Sequence, residues 1–397
     1  MKNNNLWSGN TPSQFWMVQE EVSEEVWDRA CEQSIYLLKD SVTKQDQDID
    51  IDDLLLTTLG EGRYGANHWQ LSLAKRAYYQ VKPVLPRFLT LRMRQLYSHH
   101  EGYPHWPVDD RYVCFLEECL HQVMILQGKN ELHIRSLWPD QNRYALVLTH
   151  DIETAEGQEF VEQVADLEES LGFRSSFNFV PERYKVDTRL MDSLRRRGFE
   201  IGVHSLNHDG KLFSSRSVFE RRVQKINQYL KDWDAKGFRA DLTHRQPEWM
   251  QMLEVEYDLS FFDTDPFEPI PGGTMSIWPF FIGHLIELPY TLVQDYSLIS
   301  VLQQTSATLW FDKLEFIKNH HGMALLNSHP DYLKDQETYK VYAEFLQGAK
   351  KNKRVWQALP RDVARWWRKR ATSDSDEGPK DTFTSMVVLN NGELLID

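Results

Sequence analysis

Two histidines stand four residues apart in FEIGVHSLNHDG, residues 199–210: His204 closes a short apolar run and His208 follows on a polar stretch. If the residues between them make one helical turn, the imidazoles share a face at about 6 Å between Cβ atoms, near enough to hold one divalent ion. The alternative is two unrelated loop histidines, since a chain with 14 histidines places some at this spacing by chance. A hydrolytic metal centre also needs a third, acidic ligand and an open position for water. Asp151 and Glu153 follow an apolar run in ALVLTHDIE, and His329 follows another in ALLNSHPD. Two histidines, one carboxylate and a second carboxylate beside them make the set that activates a water molecule. Asp151 and Glu153 equally suit a turn and helix cap, and His329, followed by Pro330, suits an exposed turn. His150 reads as a structural neighbour, because its side chain and that of Asp151 leave opposite sides of the strand end.

The elements that must position these residues begin at residue 144. Apolar runs at 144–150, 175–180, 199–204, 259–264, 285–292 and 323–329 read as strands. Amphipathic runs at 156–172, 188–198, 216–233 and 308–322 read as helices. Strands alternating with helices specify an α/β fold around a parallel sheet or barrel. Every candidate residue then lies at the carboxyl end of a strand, the edge where successive loops converge.

The chain divides into a mainly helical N-terminal region, 1–140, a (β/α) domain, 141–370, and a C-terminal piece, 371–397. The N-terminal region carries an acidic interval at 43–53 and the turn-rich LGEGRYGANHW at 59–69, which suits a surface loop or a docking segment. Prolines break residues 82–110 into turns and short helices, one of them basic. Residues 371–380, rich in Ser, Asp, Gly and Pro, read as a flexible linker, and 382–397 as a hairpin with an Asn-Gly turn.

At 397 residues and a formal charge of -14, from 59 acidic against 45 basic side chains, the composition is globular and argues against a nucleic-acid partner. Cys31, Cys114 and Cys119 fit reduced thiols and no disulfide framework. No apolar stretch reaches the roughly 18 residues of a membrane helix. The opening MKNNNLWSGNTPSQFW lacks a basic start followed by an apolar run, so the expected location is cytoplasmic. Thirteen tryptophans and sixteen tyrosines offer flat amphipathic rings that suit sugar faces, although core packing accounts for such rings as well.

The order THDxE, HSxxH, an FRA segment, DTDPFEP and LxxH, spread over residues 144–360, resembles the polysaccharide deacetylase family, carbohydrate esterases that remove acetyl groups from N-acetylated sugars. The resemblance implies an irregular (β/α) barrel with a divalent ion, usually zinc, held by one acid and two histidines. In this sequence those are Glu153, His204 and His208. It further implies Asp151 as general base and Arg239, in GFRADLTHR, as the residue that orients it. Asp263 or Asp265 becomes the acid supporting the catalytic histidine, and His329, with Leu326 in the LxxH motif, becomes that histidine. Two departures stand out. THDIE separates the acids by one residue where the common form has them adjacent, which leaves the roles of Asp151 and Glu153 exchangeable. Asp241 replaces the proline that usually follows the arginine. The expected activity is removal of acetyl from an N-acetylated sugar, in a polysaccharide or in a nucleotide- or lipid-linked precursor. A hydrolase of a small amide or ureide on the same fold, or a catalytically silent sugar-binding relative, are the alternatives.

Overall fold

The structure, a computed structural model, describes residues 5–38, 50–65, 68–71, 75, 81, 92, 105–372, 384–390 and 393–396. Most of the acidic interval, most of the basic stretch after residue 82, the linker from residue 373 and the Asn-Gly turn lie outside the described residues.

In chain order the strands are β1 (Glu131–Arg135), β2 (Tyr144–Ile152), β3 (Ser176–Phe179), β4 (Glu200–His204), β5 (Gly237–Arg239), β6 (Tyr257–Asp258), β7 (Phe280–Ile282), β8 (Leu285–Glu287), β9 (Met323–Ser328), β10 (Val355–Gln357), β11 (Thr384–Asn390) and β12 (Glu393–Ile396). β2 pairs with three strands of a nine-stranded sheet and is buried at every position, as its unbroken apolar run requires. β10 pairs with its first residues and β3 with its last, while β9 runs along its other edge. From β3 the sheet continues in parallel through β4, β5, β6 and β8, and β7 adds an antiparallel edge. Beyond β8 the amides of Thr291 and Leu292 both reach Leu325 O at 3.1 Å on β9, so irregular backbone draws the curled sheet toward closure. The result is an irregular (β/α) barrel.

Local chemistry sets the helix limits. Thr154 Oγ1 accepts from the Gly157 amide to start Ala155–Leu171, and Gly172, at φ +89°, ends it. Ser215 caps Arg216–Asp232 in the same way. One expected strand is reduced to an isolated bridge at Phe262, and another is shorter than read. At 259–264 the ladder stops at Asp258, because the Asp258 carboxylate takes the Ser260 amide and hydroxyl, each at 2.9 Å, and turns the chain. At 285–292 it stops at Glu287, and Pro289 then has no amide to donate.

The N-terminal region is mainly helical, with Pro12–Trp16, Glu24–Ser34, Ile51–Thr57 and Arg111–Gln127 among the described residues. It ends in β1, which pairs antiparallel with β11, and β11 pairs with β12. Trp7, Phe15 and Trp16 belong to the same apolar cluster as the barrel residues Leu148, Trp278 and Trp367. The last helix, Pro360–Thr372, continues two residues past the expected start of the linker and ties the regions together, since Arg370 donates to Phe15 O at 2.5 Å. No helix among the described residues is long and apolar enough to cross a membrane.

Candidate metal and catalytic site

The carboxyl ends of β2, β4, β5 and β9 meet at one cleft of about 1540 Å³. Asp151 is the penultimate residue of β2 and Glu153 follows it, His204 ends β4, Arg239 ends β5, and His329 follows β9. Period-two alternation turns Thr149, Asp151 and Glu153 to one side of β2 and His150 to the other. His150 is fully buried instead against Glu168, with Nε2 at 2.6 Å, and against Ser328 and Phe177.

The two histidines of the opening motif do meet, with ring centroids 4.9 Å apart, but no helical turn brings them there. Ser205 and His208 adopt left-handed backbone, φ +54° and +52°, an unfavourable conformation for a side-chain-bearing residue. Asp241, buried at the departure from the expected proline, holds that loop. Its Oδ1 accepts from Ser205 Oγ at 2.7 Å and its Oδ2 from the Gly210 amide at 2.5 Å.

Glu153, His204 and His208 each present one ligand atom, and these atoms lie within 4.8 Å of one another. This donor set fits a divalent ion. His204 Nδ1 lies 3.1 Å from Arg239 O, and an Nδ1–H donated there leaves the Nε2 lone pair facing the cluster. Glu153 Oε1 lies 3.0 Å from His208 Nε2, a separation that a shared proton or a shared cation satisfies. Arg183 Nη1 approaches His208 Nδ1 at 2.5 Å from the cleft rim.

Electrostatics prepare the set. Burial opposes ionisation of Glu153, but His208, then His329 and His204, outweigh it and hold the carboxyl well below the usual range. Burial pushes His204 down to about 4 despite Asp151, so its imidazole is neutral at neutral pH. His208 moves up, because Glu153 outweighs burial.

Asp151 stands beside the cluster without joining it. Its Oδ1 accepts from Asn178 at 2.9 Å and Arg239 at 3.1 Å, and its Oδ2 from Asn327 at 3.0 Å. His204 Nε2 and His329 Nε2 lie 3.9 and 4.0 Å from the same Oδ2. Burial opposes its ionisation, yet Arg239 and the two histidines hold it well below the carboxylate range. Arg239 is itself buried and also donates to Leu259 O and Asn327 Oδ1.

The acid on His329 is neither Asp263 nor Asp265. Asp295 Oδ1 lies 2.7 Å from His329 Nδ1, and its Oδ2 accepts the His329 amide at 2.7 Å. Burial would depress this imidazole, but the Asp295 pair raises it to about 10. Asp263 is taken by Lys313 at 2.7 Å and Asp265 by Tyr290 at 2.9 Å. Sequence reasoning missed Asp295, Asn178 and Asn327. Asn327 had a signal, being two residues before His329 in a strand and hence on its face. Asn178 had a weaker one, a lone amide in the apolar run SFNF. Asp295 had none, since it follows irregular backbone.

No protein-family model and no curated protein matches the sequence. Solved structures resemble it. A Mycobacterium smegmatis protein assigned as a polysaccharide deacetylase superposes with a TM-score of 0.51 at 16% identity, over 62% of this chain and 98% of that one. A Pseudomonas aeruginosa PAO1 protein assigned likewise gives 0.49 at 14% identity, over 59% and 94%. An allantoinase gives 0.45 at 15% identity, over 59% and 93%.

Proposed function

From the polysaccharide deacetylase fold and the side chains gathered at its cleft, we propose that the chain is a metal-dependent hydrolase that removes acetyl from an N-acetylated sugar in a polysaccharide or glycoconjugate precursor. The observation that carries this reading is the convergence of Glu153, His204 and His208 beside Asp151 and His329. Glu153, His204 and His208 would hold a divalent ion, zinc by the chemistry of one carboxylate and two imidazoles. When bound, the ion supplies Lewis-acid polarisation of the acetyl carbonyl and lowers the pKa of water.

The protein's own groups supply the rest. Asp151 accepts the proton of the attacking water, and Asn178, Arg239 and Asn327 hold its carboxylate in place. His329, kept cationic by Asp295, faces the site from across Asp151 and donates a proton to the leaving nitrogen. An amine cannot leave without that proton. The cleft, lined by Trp69, Phe213, Trp249, Tyr296 and Tyr332, offers the space and the aromatic faces that a sugar chain uses. Acetate release from N-acetylglucosamine oligomers, measured beside ring opening of a small cyclic ureide, tests the reading. Acetate from the oligomers supports it, and turnover of the ureide alone would transfer the site to small amides.

A further inference from the structure

Residues 59–65 and 68–71 lie outside the barrel, and several of them are nevertheless fastened into it. Glu61, buried and at φ +54°, receives Arg245 Nε at 2.7 Å, Arg245 Nη2 at 2.6 Å and the Gly273 amide at 2.8 Å. Burial opposes its ionisation, but Arg245 outweighs it and holds the carboxyl well below the usual range. Arg63 adds a bond to Gly273 O at 2.5 Å. The barrel loop must be glycine here, since a Cβ at Gly272 would come within 2.6 Å of Glu61 Oε1. Eight residues after Glu61, the half-buried Trp69 stands in the wall of the cleft. Its ring lies 5.8 Å from Phe261 and 5.4 Å from the Arg245 guanidinium carbon.

His244, the neighbour of Arg245, lines the same cleft, is 4% exposed, and its Nε2 has no hydrogen-bond partner. Buried polar atoms are seldom left unpaired unless a group outside the chain pairs them. Burial pushes this imidazole down to about 4 against the pull of Asp241, so at neutral pH it offers one N–H and one lone pair. A hydroxyl, both donor and acceptor, is its complement.

We propose that Trp69 and His244 form a second sugar subsite, taking the face and a hydroxyl of the unit next to the one whose acetyl group meets Glu153, His204 and His208. This rests on the deacetylase reading. Trp69 supplies a stacking surface, and His244 distinguishes a hydroxylated ring from a merely apolar one. Glu61 and Arg245 are positioning residues that hold the wall against the barrel.

The test is equilibrium binding of N-acetylglucosamine and its tetramer to the full-length native protein and to Trp69→Ala, Trp69→Phe, His244→Ala and Glu61→Gln. The native protein should bind the tetramer about tenfold more tightly than the monomer, an aromatic contact and a hydrogen bond apart. Trp69→Ala and His244→Ala should each shrink that ratio by about threefold or more, and Trp69→Phe, which keeps a ring, should restore most of it. Glu61→Gln should shrink it with monomer binding retained. A native protein without length preference, or a ratio unchanged in both alanine variants, overturns the subsite. Tetramer preference in a metal-loaded protein that releases no acetate would sink the deacetylase reading and leave the subsite standing.

Discussion

Replacing Asp295 by Asn removes the charge that keeps His329 cationic while preserving the size of the side chain. The native imidazole sits at about 10 against an ordinary 6.5, because Asp295, 2.7 Å away and fully buried, overcomes the burial that would depress it. That difference amounts to roughly 5 kcal/mol favouring the imidazolium. Without the carboxylate, burial is opposed only by the more distant Glu153 and Asp151, so His329 falls toward its ordinary value of about 6.5. The acid form is present below the pKa and lost as pH rises through it. At pH 8 an imidazole of pKa about 6.5 is protonated in only about one molecule in thirty, so hydrolysis of an N-acetyl sugar should fall by up to about thirtyfold. A cation at the neighbouring ligands lowers the native starting value, so the informative quantity is the displacement between the two proteins.

The assay is kcat against pH from 5 to 10 on an N-acetylated sugar and on an activated acetyl ester. The alkaline limb on the amide should move to lower pH in Asp295→Asn, with a much smaller change on the ester, whose phenolate leaves without a proton. An alkaline limb that stays in place, or equal losses on both substrates, would refute the assignment of His329 as acid and Asp295 as the residue that charges it.

Two further outcomes follow. Asp151→Asn should retain the bound ion and lose about 10² to 10⁴ in rate, whereas Glu153→Gln should lose the ion, as metal analysis after dialysis would show; the reverse pattern means that the two acids exchange roles. Glu200, buried at the start of β4, is raised by burial to about 7 from an ordinary 4.5, so the unfolded state binds fewer protons across that interval and stability falls as pH rises through it, by roughly 3 kcal/mol. Urea midpoints at pH 5 and pH 8 should therefore separate more for the native protein than for Glu200→Gln, and equal separations would contradict this.

The barrel was legible because its strands carry unbroken apolar runs and its helices carry caps: β2, buried throughout, and the helix begun by Thr154 stand where the pattern put them. The gathering of Glu153, His204 and His208 was legible because each lies at or just after a strand end, and the sheet edge brings strand ends together whatever their separation in sequence. What hid Asp295 is that nothing local marks it: it reaches His329 through the irregular backbone after β8, and only the folded chain sets the distance. Asp263 and Asp265 carried the stronger motif, but Lys313 and Tyr290 engage them instead of His329. The loop between His204 and His208 misled for a similar reason. A helical turn is the local solution, whereas Asp241, distant in sequence, stabilises two left-handed residues instead.

Whether one cation at Glu153, His204 and His208 drives acetyl removal is tested most directly by acetate release from an N-acetylglucosamine oligomer before chelation, after chelation, and after one equivalent of zinc is returned. Release should be lost on chelation and restored by a single equivalent in the native protein, with no restoration in His208→Ala. Release that survives chelation, or restoration in His208→Ala as complete as in the native protein, would contradict it.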